Sequence, residues 1–275
     1  MSVPVAWVAA VVGMLCYGAA SVIQAVAARR ATGARVVVQP GYLVGMGLDL
    51  LAWVSSVVAM QALPLFTVQA VLAGSLAVTV LLARLFLGAR LLRRDVVAVV
   101  ATVIALVVVG AASGTEAAVR PSILFDEVLL VGLVGVGIAV AVLYRRHHPA
   151  VMAVLAGLGF SGAAVGARGL PLDHGLVGLL GSWTLWLVLG FGAIGMLAYA
   201  RALEQGSVGP ATALLWVVEI IVPGVIGWYW LGDTVRPGWA WPAVLAILVA
   251  TVACGVLAFS PAQPEQAPAE SEPGQ

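Results

Sequence analysis

Uncharged, apolar runs of about 20 residues follow one another along almost the whole chain, separated by short polar breaks. The hydrocarbon core of a bilayer is about 30 Å thick, and a helix needs about 20 apolar residues to cross it. The run from Val96 to Gly110 carries one Thr and no other polar side chain. In lipid its backbone N–H and C=O groups can bond only to one another, which dictates a helix. The pattern predicts nine crossings, at about 3–28, 42–63, 66–88, 95–113, 127–144, 149–168, 182–203, 208–231 and 238–259. The expected fold class is therefore an all-α polytopic membrane protein.

The breaks carry their own signals. Arg29, Arg30 and Arg35 follow the first run, Pro64 sits in a tight turn between the second and third, and Arg90, Arg93 and Arg94 separate the third from the fourth. Arg145, Arg146, His147 and His148 precede Pro149, which suits the first turn of a helix. Longer connections are expected at 114–126 and at 169–181, the latter as a short piece lying in the interface. The first run has no positive charge before it, so it reads as a retained helix and not as a cleaved leader. After Pro261 the chain turns to Pro, Glu and Gln with no apolar anchor, and disorder is expected there.

Composition sharpens this. The chain is 63% hydrophobic and 9% charged, against about 25% charged in soluble domains. Its net charge of +1 gives no basic surface for nucleic acid. It has neither Lys nor Asn, which points to a GC-rich genome such as that of a high-GC bacterium. Cys16 and Cys254 fall inside predicted helices and read as packing residues. No phosphate-binding loop, clustered metal ligands or His–carboxylate pair on one helix face is found, so no enzyme activity and no cofactor are expected.

Arginine placement orients the helices. Cytoplasmic loops are enriched in positive charge. Loops 1–2 and 3–4 hold three Arg each and loop 5–6 holds two, whereas the alternate loops hold none or one. The N-terminus is expected outside and, after nine crossings, the C-terminus inside, in the inner membrane of a bacterium.

The chain also repeats itself. Ala62 to Leu91 and Ala202 to Val235 both start with Ala-Leu, turn, run through an apolar helix and end in Leu-Gly: Leu87-Gly88 and Leu231-Gly232. A further apolar helix follows each. Helix three thus pairs with eight, four with nine and two with seven. An offset of five helices is odd, so the copies must cross in opposite directions. Inverted repeats are a feature of secondary transporters, whose halves rock to open alternately to each side. The first repeat is expected over 1–113, a connecting loop and helix five over 114–148, and the second repeat over 149–260, followed by the tail at 261–275.

The residues that carry this repeat resemble the drug/metabolite transporter superfamily of the EamA type. Ala202, Leu203, the small run Gly206 to Ala211, Pro223 in mid-helix and Leu231-Gly232-Asp233 are similar to its pattern. The chain departs from it with Asp233 and Ala89 where the family has Glu, and with nine crossings where ten are typical. The resemblance implies alternating access and a small polar metabolite or ion as substrate. A nine-helix branch, the NIPA-type magnesium transporters, is similar through Asp49 before the second Ala-Leu turn. A scaffold or subunit of an envelope complex remains an alternative from a different class.

Ionisable residues at bilayer depth are costly and tend to face a cavity. Glu219 lies halfway along helix eight, one turn before Pro223, which frees a backbone carbonyl. That pairing suggests a midplane substrate or ion site. Asp49 and Arg84 are expected to approach each other if helices two and three form a hairpin, as an ion pair or a gate. Gln69, Gln61 and Gln24 add polar atoms to the bundle, and Arg201 reads as an interfacial anchor. The aromatic residues Trp228, Tyr229, Trp230, Trp239 and Trp241 suit an interfacial belt, and Gly157, Gly159 and Gly162 suit close helix packing. The bilayer and a small solute are the expected partners, with a homodimer left open.

Overall fold

Every span expected from the apolar pattern is helical in the computed structural model, which describes residues 2–28, 39–88, 91–114 and 124–261. The helices are α1 (Val3–Ala28), α2 (Pro40–Met60), α3 (Leu65–Ala73), α4 (Ser75–Leu87), α5 (Arg93–Ala112), α6 (Phe125–Leu143), α7 (Pro149–Arg168), α8 (Gly175–Gly181), α9 (Trp183–Gln205), α10 (Val208–Trp230) and α11 (Ala240–Ala258). Taken with α3 and α4 as one span, nine helices among the described residues are long and apolar enough to cross a membrane. The connection at 29–38, Ala89 and Arg90, the loop at 115–123 and the tail from 262 lie outside the described residues.

Local chemistry sets the ends. Pro40 and Pro149 occupy the first turns of α2 and α7, where a missing N–H costs nothing. Gly88 closes α4 in the left-handed region at φ 65°, and Gly232 adopts φ 69° just after α10. The stretch at 169–181 forms a 3-10 turn, Leu172–His174, and the short α8.

One expectation is corrected. The third span is not one helix: it tightens at Gly74, between α3 and α4. A side chain there would collide with Met14 Sδ of α1 and Leu106 Cδ1 of α5 at 2.8 and 2.9 Å, so the absent Cβ lets three helices meet. Conversely, α10 runs unbroken through Pro223.

The helices pack in a definite order. α1 lies along α2 and α4, α7 lies along α9 and α10, α5 pairs with α11, α3 crosses α10, and α6 leans on α7 and α9. Glycines set the closest approaches. A Cβ on Gly18 of α1 would stand 2.6 Å from Val78 Cβ of α4, and one on Gly157 of α7 would stand 2.7 Å from Val218 Cβ of α10. Gly159 places α7 directly against the backbone of Gly195 in α9. The expected close packing of the 157–162 glycines is therefore present. Trp216 touches three of the four apolar clusters and stands near the centre of the bundle.

The bundle has two ends. At one, Ser113 bridges Val235, Arg236 N–H donates to Ala112 O at 2.9 Å, and Gly114 N–H donates to Thr234 O at 3.0 Å. At the other, Arg94 donates to Phe259 O at 3.4 Å and Gln205 Nε2 to Arg146 O at 2.9 Å. Arg94 and Arg236 sit at opposite ends of α5, about 27 Å apart at 1.5 Å per residue. Arg84, Arg93, Arg94, Arg145, Arg146 and Arg201 belong to the first of these (the Arg94 end), while Arg168 and Arg236 belong to the Asp233 end.

Between the ends the outer surface is apolar. Val107, Val131 and Val252 are each two-thirds or more exposed, with many large aliphatic neighbours. Such a continuous apolar belt is untenable in water and matches lipid. The chain is a multi-pass helical membrane protein.

Candidate functional site

The helix α10 places Glu219 at its midpoint. At 100° per residue, Glu219 lies about 160° around the helix from Ile221 and about 180° from Trp228. Those two are 44% and 66% exposed and mark the lipid face, so Glu219 points inward. There its carboxylate acts electrostatically on the hydroxyls of Tyr17 in α1 and Tyr199 in α9. No hydrogen-bond or ion-pair partner holds it among the described residues. Glu219, Tyr17 and Tyr199 thus bring three ionisable or hydroxyl groups from α10, α1 and α9 to one level of the interior.

Pro223 stands four residues after Glu219. It has no N–H to give the Glu219 carbonyl, which is thereby left without its helical partner. The helix tolerates this without breaking. The result is a carboxylate and a free carbonyl offered by one residue, both acceptors, in the middle of a membrane-length helix.

Further polar groups extend from this point toward the Arg94 end. Tyr199 Oη and Thr212 Oγ1 are hydrogen-bonded at 2.6 Å between α9 and α10. Asp49, the second charge acting on Tyr17, accepts a hydrogen bond from Gln24 Nε2 at 2.5 Å between α2 and α1. The approach of Asp49 to Arg84 expected from the sequence is corrected: α1 packs between α2 and α4, and Arg84 lies exposed in the last turn of α4. Arg201 donates to Tyr144 O at 2.9 Å and to Glu204 at 2.7 Å, with its guanidinium over the Tyr144 ring, an arrangement suited to an anchor at the helix end.

Toward the Asp233 end the polar groups are sealed. Gln69 is 1% exposed and its Oε1 has no partner. Thr67 and Ser113 hydroxyls bond to each other at 2.6 Å. Beyond them lies a buried ion pair that the sequence reading did not assemble. Arg168 Nη2 meets Asp233 Oδ1 at 2.7 Å, Arg168 Nη1 donates to Leu63 O, and Leu65 N–H donates to Asp233 Oδ2 at 2.6 Å. Both side chains are almost wholly buried, and Arg168 Nε finds no acceptor. Burial pushes the Asp233 carboxyl above the usual range, while the Arg168 guanidinium and the Leu65 amide hold it back. Gly227 makes room: a Cβ there would overlap Asp233 Oδ2 and stand 3.3 Å from Leu65 Cβ.

A signal for this pair was available. Arg168 ends the sixth span and Asp233 follows the eighth, so alternate crossing puts both at one end. Gln61 Nε2 adds a bond to Ala167 O at 3.0 Å beside it. Comparison with known proteins finds no match to this chain among family models, curated proteins or solved structures.

Proposed function

We propose that this chain is a secondary transporter of the drug/metabolite type, moving a small polar metabolite or an ion by alternating access between two inverted halves. The observation that carries this reading is Glu219: an inward-facing carboxylate without a partner among the described residues, at the midpoint of a membrane-length helix, beside its own unpaired carbonyl. An ionisable group at that depth is expensive, and a carrier uses it to hold a proton or a cation.

The inverted repeat draws support from the packing. α1 packs on α2 and α4 much as α7 packs on α9 and α10. Gly18 meets Ser75 O and Val78, and Gly157 meets Leu215 O and Val218, so each glycine touches residues i and i+3 of its partner. Val78 and Val218 are 140 residues apart, the same spacing as Ala62 and Ala202 in the two Ala-Leu turns. The Leu-Gly ends share a left-handed glycine. Because α1 starts at the Asp233 end and α7 at the Arg94 end, these matching units run in opposite directions. The arginine-rich Arg94 end would then be cytoplasmic, with the N-terminus outside.

The test is flux in proteoliposomes enclosing a pH indicator, challenged in turn with amino acids, organic cations and Mg²⁺ under an imposed proton gradient. At least one class should move in the wild type and fall to background in Glu219→Gln. Equal flux in the variant removes Glu219 from the mechanism, and no flux of any class from folded protein overturns the transporter reading.

A further inference from the structure

We infer that Arg168 and Asp233 form the gate that closes this protein at the Asp233 end, and that the structure shows that gate shut. The inference rests on the transporter reading and adds to it the residues that alternate.

Polar groups line the interior from the level of Glu219 to both ends, and those packed about the Arg168–Asp233 pair are closed in. Tyr17, Gln24, Asp49, Tyr199, Thr212 and Glu219, at the middle and toward the Arg94 end, all keep accessible surface. Thr67, Gln69, Ser113, Arg168 and Asp233, toward the other end, are exposed by 0, 1, 6, 6 and 4%. The interior between Glu219 and the Asp233 end is thus closed at these side chains.

The ion pair is what ties that side together. One guanidinium and one carboxylate join three separate elements: the turn between α2 and α3, through Leu63 O and Leu65 N; the last residue of α7; and the link between α10 and α11. In the paired helix units these elements come from both halves of the chain. Separating the halves at this end requires breaking this one cluster, whose bonds are directional and are either made or lost.

The pair is also suited to opening. A buried ion pair offsets its own desolvation cost poorly, and here Arg168 Nε is left without an acceptor. In the open state both side chains would regain water. The shut state is therefore held by geometry without being held irreversibly. Gly227 and the left-handed Gly232 let Asp233 fold back against the end of α10, so the carboxylate is aimed by a turn that can move and the guanidinium by a helix that stays.

The experiment reads accessibility from each side. Single cysteines are placed at Gln69, between the pair and Glu219, and at Thr212, toward the Arg94 end, with Cys16 and Cys254 replaced by Ala. A membrane-impermeant maleimide is applied to intact expressing cells and to inverted vesicles. With the pair intact, the cysteine at 69 should be protected from outside and the cysteine at 212 labelled from inside. Asp233→Asn should raise outside labelling at 69 by about tenfold and lower inside labelling at 212, because one population gains what the other loses. Gly227→Ala, which displaces the carboxylate while keeping both charges, should shift both readings the same way and covers the case in which Asp233→Asn fails to fold. Unchanged labelling at 69, or a rise at both positions together, marks the pair as a static clamp and overturns the gate. Loss of flux in Glu219→Gln without reciprocal labelling leaves the transporter reading standing and removes the gate alone.

Discussion

Replacing Gly159 by Ala should be among the most damaging single-methyl changes in this molecule. Between helices in lipid, little hydrophobic force remains, because the tails are as apolar as the side chains; close packing and interhelical hydrogen bonds hold the helices together. At Gly159 an added Cβ would stand 2.7 Å from Gly195 Cα, 2.8 Å from Gly195 N and 3.1 Å from Phe191 O. All three are backbone atoms, so no side-chain rotation relieves the clash. Comfortable carbon contacts are about 3.5–4.0 Å, so α7 and α9 must part by about 1 Å, which forfeits a quarter to a half of each dispersion contact along their line. A cost of about 1–3 kcal/mol follows. Gly195→Ala meets Phe160 Cδ1 and N at 3.2 Å and Ala156 O at 3.3 Å and should cost less. Gly135→Ala meets nothing within 4 Å and should be neutral, or stabilising by up to about 1 kcal/mol through helix propensity. Thermal unfolding in detergent, followed by tryptophan fluorescence, should rank the three in that order. A Gly159→Ala protein that melts with the wild type, or below which Gly135→Ala falls, would refute the packing argument.

Two further outcomes follow from the polar interior. Arg168→Met leaves Asp233 buried without its cation, at a cost of about 3–5 kcal/mol when ionised. Burial already raises the Asp233 carboxyl, and losing the guanidinium raises it further. A folded-state value above the unfolded one contributes stability that is present at low pH and lost as pH rises through it. The melting deficit of the variant should therefore be small in acid and grow toward pH 8; a deficit independent of pH would contradict the assignment. Pro223→Ala restores an N–H to the Glu219 carbonyl, so the melting temperature should rise while flux falls, and a drop in both would show that the proline serves only packing.

How far the sequence could be read depended on which force set each feature. Span number and placement follow from backbone satisfaction in lipid, a constraint local enough that the apolar runs locate every helix to within a few residues. The 157–162 glycines were legible for the same reason: a small-residue run has few alternative uses. The Asp49–Arg84 approach failed because it assumed that helices adjacent in sequence are adjacent in space, whereas α1 packs between them. The Arg168–Asp233 pair went unassembled because its partners are 65 residues apart and neither looks buried when counted as a loop charge.

Two of the spans depart from regular helix chemistry, and they do so differently. The eighth span keeps one continuous helix, α10, through Pro223, and the irregularity sits instead at Gly74 in the third span. Proline removes one hydrogen bond and fixes φ at a helical value, so a helix packed on several sides keeps its course and merely exposes one carbonyl. Gly74 acts differently: it removes a side chain where Met14 and Leu106 press in, and the backbone tightens to fit. The two spans therefore carry their irregularity by different means, a freed acceptor beside Glu219 in one and a close approach of α1, α3 and α5 in the other.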